Sequence, residues 1–327
     1  MDELVFLEVL EELEIAEYNN AGRVAQGFRH IRNPVDELNN EEFQPFLTPK
    51  VRNTDLCIHE KVLVALRFFA TGSYQNDIGS SWFLGMSQSS VSRSIHEVVN
   101  ALNQPEVLNR FVKFPQNLGE LDAVRLEFYR KYNMPGVIGC IDCTHVAIFP
   151  HIQDTLHPEH LYVNRKQYHS INVQLICDSN LKILNVNARY PGSTHDSFIW
   201  ANSNVQGELR NLHRHGYNNY ILLGDSGYPL RTWLMKPFDD EPADGTPEHL
   251  YQISQKSIRS IIERCNGVLK MRFRCLFKQR VLHYDPETAS KIINACVVLH
   301  NLCIEHNLPE VHLGDDSLID MEIDLGR

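Results

Sequence analysis

Residues 137–142, VIGCID, and residues 220–225, YILLGD, follow the same plan. Each is a short apolar run, bounded by turn-forming residues, that ends on an aspartate. Such a run is typical of a strand buried in the core of a sheet. If the two strands are neighbours, Asp142 and Asp225 lie side by side at the edge of the sheet where ligands commonly bind.

The segments around these strands predict a mixed α/β domain. Residues 169–177 and 181–189 alternate between apolar and polar positions across a polar turn, which predicts an antiparallel hairpin. Helical spacing follows at residues 197–212, 247–272 and 286–306. The order of a strand, a hairpin, a helix, a strand and further helices suits a mixed sheet with helices on its faces, as in an RNase H-like domain.

The segment before this domain predicts three helices, at residues 58–70, 75–83 and 88–103. The first should stop at Thr71-Gly72, and Ser87 can cap the third. A short helix, a glycine turn and a second helix have the outline of a helix-turn-helix. The third helix would expose Ser89 and Arg93, which suit phosphates and base edges. An ordinary helical hairpin packed on the larger domain is the alternative.

Length and composition set the frame for these elements. The 327 residues, 43% hydrophobic and 22% charged, fit a globular protein with one sizeable core and a smaller module. No run of about 18 apolar residues is present, so we expect no membrane-spanning helix. The acidic N-terminus is unlike a secretory signal, and the 8 scattered cysteines favour reduced, mostly buried thiols.

Charge is distributed unevenly along the chain. The net charge is −10, but residues 1–17 and 310–327 are strongly acidic and leave a slightly basic body between them. Within that body, residues 256–280 contain eight basic residues and one acid, Glu263. Such a local field attracts phosphate backbones. The alternative is a solvated charged helix.

Four acidic residues are candidates for metal-assisted chemistry: Asp142, Asp196, Asp225 and Glu263. Cleavage of a phosphodiester requires an activated water and a stabilised leaving oxygen, and a pair of Mg²⁺ ions supplies both. Hard cations prefer carboxylate oxygens, and clustered carboxylates repel one another without a cation. Taken singly, Asp142 and Asp225 could be turn acids, and Asp196 could cap the helix at 197.

Six stretches of the chain, in this order, resemble the PIF/Harbinger-type DDE transposases and the nucleases derived from them. They are GCIDCTHV, NRKQYHSINVQLICD, YPGSTHDS, LLGDSGYPLRTWLMKPF, IIERCNGVLKMRFRCL and VVLHN. The resemblance runs from about residue 55 to 307. It implies a helix-turn-helix module followed by an RNase H-like domain whose acids bind a divalent metal, Mg²⁺ or Mn²⁺, and cut DNA.

Carried over residue by residue, the resemblance implies Asp142, Asp225 and Glu263 as the catalytic triad, with Asp196 as an accessory metal ligand. It also implies DNA and a separate Myb-like DNA-binding protein as partners, and a nuclear site of action with a cytoplasmic pool. A homo-oligomer stays open. For DNA contact the expected residues are Lys270, Arg272, Arg93, Ser89, Arg165 and Lys166.

The expected organisation divides the chain into four parts. They are an N-terminal helix and irregular segment at 1–50, a helix-turn-helix module at 51–132, the RNase H-like nuclease domain at 133–307 and an acidic tail at 308–327. A non-cutting DNA-binding or scaffold protein with the same fold is the alternative function. A phosphatase of small molecules fits the basic segment less well.

Smaller motifs have plainer interpretations. Cys140 and Cys143 form a C-x-x-C pair, but without a second pair we expect buried thiols rather than a zinc or redox site. For His145 and His195, each near an acid, a structural role is favoured over water or phosphate positioning.

Overall fold

The computed structural model describes residues 46–47, 56–80, 85–149 and 158–309. The expected N-terminal segment at 1–50 and the acidic tail at 308–327 fall almost entirely outside these residues. Residues 81–83 of the predicted second helix also lie outside them.

The helical part before the sheet begins as the sequence predicts. Its helices are α1 (Ile58–Thr71), α2 (Gln75–Gly79), α3 (Gln88–Leu102), α4 (Pro105–Phe111) and α5 (Leu118–Tyr132). Helix α1 ends at Gly72, whose φ of 62° is a left-handed conformation that glycine adopts without strain. Helix α3 begins after Ser87, whose hydroxyl accepts the Ser90 N–H at 3.3 Å. Helices α4 and α5 are not anticipated by the sequence.

A five-stranded mixed sheet follows, with strands β1 (Val137–Ala147), β2 (Ser170–Cys177), β3 (Ile183–Pro191), β4 (Ile221–Leu223) and β5 (Leu234–Met235). The strand order is β3-β2-β1-β4-β5. Strands β1, β2 and β3 pair antiparallel, whereas β4 runs parallel to both β1 and β5. Strands β1 and β4 are therefore neighbours, which is the condition under which Asp142 and Asp225 were expected to lie side by side.

Four further helices complete the described chain: α6 (Asp196–Ala201), α7 (Asn204–Arg214), α8 (Pro247–Arg272) and α9 (Pro286–Glu305). Single 3-10 turns lie at Glu159–Leu161 and Arg274–Leu276. Helix α8 has its predicted bounds. The single helix predicted at 197–212 is instead two, because Ser203 adopts an extended conformation between them.

Two hydrophobic clusters cover the two faces of the sheet. One includes Phe69 of α1, Ile95 of α3, Ile262 of α8 and Val298 of α9. The other joins sheet residues to α5, α6 and α7, with Trp200 fully buried. Helices therefore pack on both faces, and the mixed α/β class is confirmed. None of the helices in the described ranges combines the length and apolarity needed to cross a bilayer.

The prediction that Asp142 follows a short strand was wrong. Strand β1 continues to Ala147, because residues 140–147 pair without interruption with β2. The apolar run marks only its fully buried half, and residues 142–145 are half-buried. Asp142 therefore projects from the middle of the central strand of the sheet.

Candidate functional site

Asp142 and Asp225 lie on neighbouring parallel chain segments. Cys140 of β1 pairs with Leu223 of β4, and each aspartate comes two residues later. Residues two apart on a strand point to the same face, so the pairing brings the carboxylates together. The Oδ1 atom of Asp225 also accepts the Gly227 N–H at 3.0 Å, which fixes the turn after β4.

The two carboxylates influence each other electrostatically. Burial raises the pKa of Asp142 to about 7, and the charges of Asp225 and Asp196 act in the same direction, opposed by the guanidinium of Arg259. Burial also raises the pKa of Asp225, again with a contribution from Asp196. The charges of Asp225 and Asp196 thus disfavour ionisation of Asp142, and the charge of Asp196 disfavours ionisation of Asp225.

Asp196 is the third member of this group. It is the first residue of α6, with His195 at the capping position, so the interpretation of Asp196 as the helix cap was wrong. Its Oδ1 atom accepts the side-chain amide of Asn172 at 2.8 Å, and the same amide bonds to the Thr194 carbonyl at 2.8 Å. Asn172 on β2 therefore ties the start of α6 to the sheet and aims the carboxylate.

Glu263 lies on helix α8, which packs across β1. On this helix Asn266 donates its side-chain amide to Oδ2 of Asp142 at 3.4 Å, and Glu263 is one turn earlier on the same face. The Glu263 carboxylate forms an ion pair with Arg259, four residues before it. Glu263 is therefore one helical turn from the asparagine that binds Asp142, and its carboxylate is held by an arginine of its own helix.

The chemistry of these donors fits a hard divalent cation. Asp142, Asp196 and Asp225 offer carboxylate oxygens, and the side-chain oxygens of Asn172 and Asn266 are buried without a hydrogen-bond partner. Within the described ranges, no three His, Cys, Asp or Glu side chains stand close enough to form a ready set of metal ligands. The three aspartates would hold the cation, and Glu263 would join them only after leaving Arg259.

The basic residues near the acids fall into two groups. Lys270 is half-buried and donates its ammonium to the carbonyl of His145 at 2.9 Å. Burial lowers the pKa of Lys270 to about 8, while the charge of Asp142 favours its protonated form. Arg165 and Lys166 are exposed on the loop before β2, and Arg165 lies close enough to lower the pKa of Asp225.

Two expectations about the basic segment at 256–280 were wrong. Arg272 is buried at 7% exposure and donates to the carbonyls of Leu308 and Pro309, so its guanidinium stabilises the fold and cannot meet DNA. The segment is also not one solvated basic face. Helix α8 ends at Arg272, and both Lys256 and Arg259 pair with acids.

Ser89 and Arg93 occupy the expected exposed face of α3. The Arg93 Nε atom donates to the Ser89 carbonyl at 3.3 Å, which holds the side chain along the helix surface. Helix α3 packs against α1, α2 and α9 through its buried side chains. Its exposed face is therefore presented to solvent by a firmly anchored helix.

The C-x-x-C pair is not a metal site. Cys140 is buried and donates its thiol to the Ile258 carbonyl at 3.4 Å, whereas the Cys143 sulfur lies 3.3 Å from the Tyr228 hydroxyl. Positions three apart on a strand face opposite sides, so the two thiols cannot bind one ion.

His145 lies 3.0 Å from the Ser170 hydroxyl, and burial lowers the pKa of His145 to about 4. His195 is exposed.

Sequence reasoning missed three residues that shape this site: Asn172, Asn266 and Arg259. The two asparagines bind the carboxylates directly, and Arg259 balances their charge. A signal was available for α8, because Arg259, Glu263, Asn266 and Lys270 recur at helical spacing along one face. No comparable signal marks Asn172 within its alternating strand.

Comparison with known proteins agrees with this geometry. A family described as "DDE superfamily endonuclease" matches residues 141–301, a range that contains all four acids. The Homo sapiens protein named "Putative nuclease HARBI1" is 37% identical over 265 residues, which cover 80% of this chain and 71% of that protein. Its Xenopus laevis counterpart is 33% identical over 80% of this chain and 72% of its own.

A more distant relative is the "Protein ALP1-like" of Arabidopsis thaliana, 25% identical over 76% of this chain and 61% of its own length. No solved structure matches the chain significantly. The mixed sheet and its acids therefore define a protein of the DDE endonuclease superfamily. Within that superfamily, the chain belongs to the Harbinger transposase-derived nuclease family, which includes the HARBI1 proteins.

Proposed function

We propose that the protein is a metal-dependent DNA endonuclease with an RNase H-like catalytic domain. The observation that carries this proposal is that Asp142, Asp196 and Asp225, from three different elements, form a half-buried group in which the charges of Asp196 and Asp225 act on Asp142 and the charge of Asp196 acts on Asp225. Such a group is costly in a protein that does not use it. Membership of a nuclease family supports the same function.

In this proposal Mg²⁺ or Mn²⁺ supplies the charge that activates water and stabilises the leaving oxygen. Asp142 and Asp225 hold the cation, Asp196 is an accessory ligand, and Glu263 completes the catalytic triad. Asn266 and Asn172 keep two of these carboxylates in position. Lys270 lies near enough to this cluster for the charge of Asp142 to favour its protonated, positively charged form.

DNA is the proposed substrate. The exposed loop with Arg165 and Lys166 borders the acids and would contact the phosphate backbone near the cut. Helices α1 to α3 would act as a helix-turn-helix module, with Ser89 and Arg93 facing DNA. A Myb-like partner protein and a nuclear and cytoplasmic distribution belong to the proposal through the family resemblance alone.

The second candidate is a non-cutting DNA-binding or scaffold protein. The Arg259–Glu263 ion pair favours it, because it engages the fourth acid within the chain. Incubation of purified protein with supercoiled plasmid in Mn²⁺, and in parallel in EDTA, separates the two functions. Mn²⁺-dependent conversion to nicked circles supports the nuclease. DNA that is bound and stays supercoiled in Mn²⁺ supports the scaffold.

A further inference from the structure

A row of aromatic side chains lies on the surface beyond the acids, and the proposed chemistry does not use it. The imidazole of His283 stacks on Phe149 with ring centres 5.3 Å apart and an interplanar angle of 22°. On its other side, the Tyr74 ring centre lies 5.9 Å from His283. Tyr74 is 67% exposed and Phe149 is 53% exposed. We refer to Tyr74, His283 and Phe149 as the ring track.

The ring track is built into the fold. The Phe149 N–H donates to the Leu282 carbonyl at 2.9 Å, and the Leu282 N–H donates to the Ala147 carbonyl at 3.0 Å. This pairing holds the continuation of β1 against the segment before α9. These two backbone bonds fix the main chain that carries Phe149 beside the residue that precedes His283.

The track lies on the continuation of the strand that carries Asp142. The chain carries Asp142, His145 and Phe149 in that order, and because the strand is extended, about 25 Å of backbone separates the first from the last. Tyr168 packs edge-on against His145 with ring centres 6.4 Å apart, and the Lys278 ammonium lies 4.9 Å from the Tyr168 ring centre. A further ring and a cation therefore lie beside the strand between Asp142 and Phe149.

The far end of the track borders an open cavity of about 670 Å³, a volume typical of sites for small organic molecules. Its lining includes Tyr74, His283, Arg280 and Gln88, the first residue of α3. Among the described residues that line the cavity, one, Asp77, is acidic. The cavity therefore connects the ring track to the N-terminal end of the helix proposed to face DNA.

Two exposed cations lie near the track. Arg280 lines the same cavity as Tyr74 and His283, and Lys278 lies over the Tyr168 ring. Exposed rings beside a line of cations are the combination by which proteins hold single-stranded nucleic acid, since bases stack on the rings and cations follow the phosphates. Bases of an intact duplex already stack on one another and cannot use such rings.

We propose that the ring track binds unpaired nucleotides of the DNA substrate a few nucleotides away from the acidic cluster. The inference rests on the proposed function, because it takes DNA as the ligand. It adds a property of the substrate that the proposed function does not specify. The preferred substrate has an unpaired or opened stretch within about 25 Å of the cut, and Tyr74 and Phe149 stack on its bases.

The test is fluorescence anisotropy in EDTA, where no metal is available for cutting, with two labelled DNAs of the same sequence. One is fully paired and the other carries a short unpaired stretch. Wild type should bind the second more tightly. Tyr74→Ala and Phe149→Ala should each weaken binding to it by about 5- to 150-fold, the range for loss of one base stack, with little effect on the paired DNA.

Two variants serve as controls. Tyr74→Phe retains the ring and should bind like wild type, and Tyr129→Ala removes another exposed ring, on α5, which is not part of the track. Melting temperatures check that each variant is folded. Equal affinity of wild type for the two DNAs would overturn the inference, as would equal losses on both DNAs. A free nucleotide that displaces the unpaired DNA at a concentration no higher than that of the DNA would assign the track to small molecules and also overturn the inference.

The outcome is independent of cutting. If wild type prefers the unpaired DNA through Tyr74 and Phe149 but does not nick plasmid in Mn²⁺, the ring-track inference stands and the nuclease proposal fails. If wild type nicks plasmid in Mn²⁺ and shows no preference, the nuclease proposal stands and the ring-track inference fails.

Discussion

Arg259 and Glu263 form an ion pair across one turn of α8, within reach of the acidic cluster. The same guanidinium lowers the pKa values of Asp142 and Asp225, which their burial raises. Arg259 therefore supplies part of the positive charge that a bound cation would supply, and it holds the acid that would complete the triad. Metal binding and the ion pair compete for one carboxylate.

This competition predicts that Arg259→Gln binds Mn²⁺ more tightly than wild type, by about fivefold, since a half-buried ion pair stabilises by about 1 kcal/mol. Loss of the guanidinium also removes a positive charge that offsets the negative charge of Asp142 and Asp225, and this too should strengthen Mn²⁺ binding. Isothermal titration with Mn²⁺ measures the change. The control is Lys256→Gln. Lys256 lies one turn before Arg259 on α8, and this variant removes its exposed ion pair with Glu241. Weaker Mn²⁺ binding by Arg259→Gln would contradict the competition.

The raised pKa of Asp142 predicts a pH dependence of stability in EDTA. A carboxyl with a pKa near 7 when folded, against about 3.9 when unfolded, binds more protons in the folded state between these values. The free energy of unfolding should therefore fall as pH rises from about 4 to above 7. Asp142→Asn should flatten this dependence and melt at a higher temperature above pH 7. Thermal melts across this pH range in EDTA provide the measurement.

The same variant tests metal binding without a substrate. A cation that binds the folded state at a hundredfold excess over its Kd stabilises it by about 2.7 kcal/mol. Wild type should therefore gain melting temperature on addition of Mn²⁺, and Asp142→Asn should gain less. An equal gain for both proteins would show that Asp142 is not a ligand.

Arg272 and Arg165 should behave in opposite ways. Arg272→Ala removes buried hydrogen bonds to the Leu308 and Pro309 carbonyls and should lower the free energy of unfolding by about 2 kcal/mol. Arg165→Ala should leave stability unchanged and lower the slope of log K against log salt for DNA binding by about one unit. Chemical denaturation and salt titrations measure both. An unaltered salt slope for Arg165→Ala would remove that loop from the DNA contact.

Arg93→Ala separates base reading from phosphate contact on α3. If the helix reads base edges, the variant should lose preference among sequences in a selection from random DNA. If Arg93 contacts a phosphate instead, the variant should bind all sequences more weakly to the same extent. Arg130→Ala, an exposed arginine on α5, is the control. If Arg93→Ala selects the same sequences with the same affinity as wild type, α1 to α3 are an ordinary helical hairpin packed on the larger domain and not a DNA-binding module.

Much of the fold could be predicted because local signals agree with the tertiary structure. The apolar runs around residues 137–141 and 220–224 become neighbouring strands, and Gly72 and Ser87 mark helix ends. The end of β1 was missed because residues 142–145 are polar or half-buried, although residues 140–147 pair with β2 through the backbone. The pattern of apolar residues does not predict backbone pairing of this kind.

The candidate site could be predicted less completely. Asp142 and Asp225 stood out because each follows an apolar run. Arg272 was misjudged because its charge predicts exposure, whereas the structure buries it against two backbone carbonyls. Asn266 and Asn172 carry no charge, so only their positions in space reveal that they hold Asp142 and Asp196.

The most direct test of the acidic cluster as a cutting centre is the initial rate of plasmid nicking in Mn²⁺ by amide variants. Asp142→Asn, Asp225→Asn and Glu263→Gln should each abolish nicking while the circular-dichroism spectrum stays that of wild type, because the exchange removes charge at nearly constant shape. Asp122→Asn, at an exposed acid on α5, should cut like wild type. A wild-type rate in any of the three amide variants would contradict the triad at that residue.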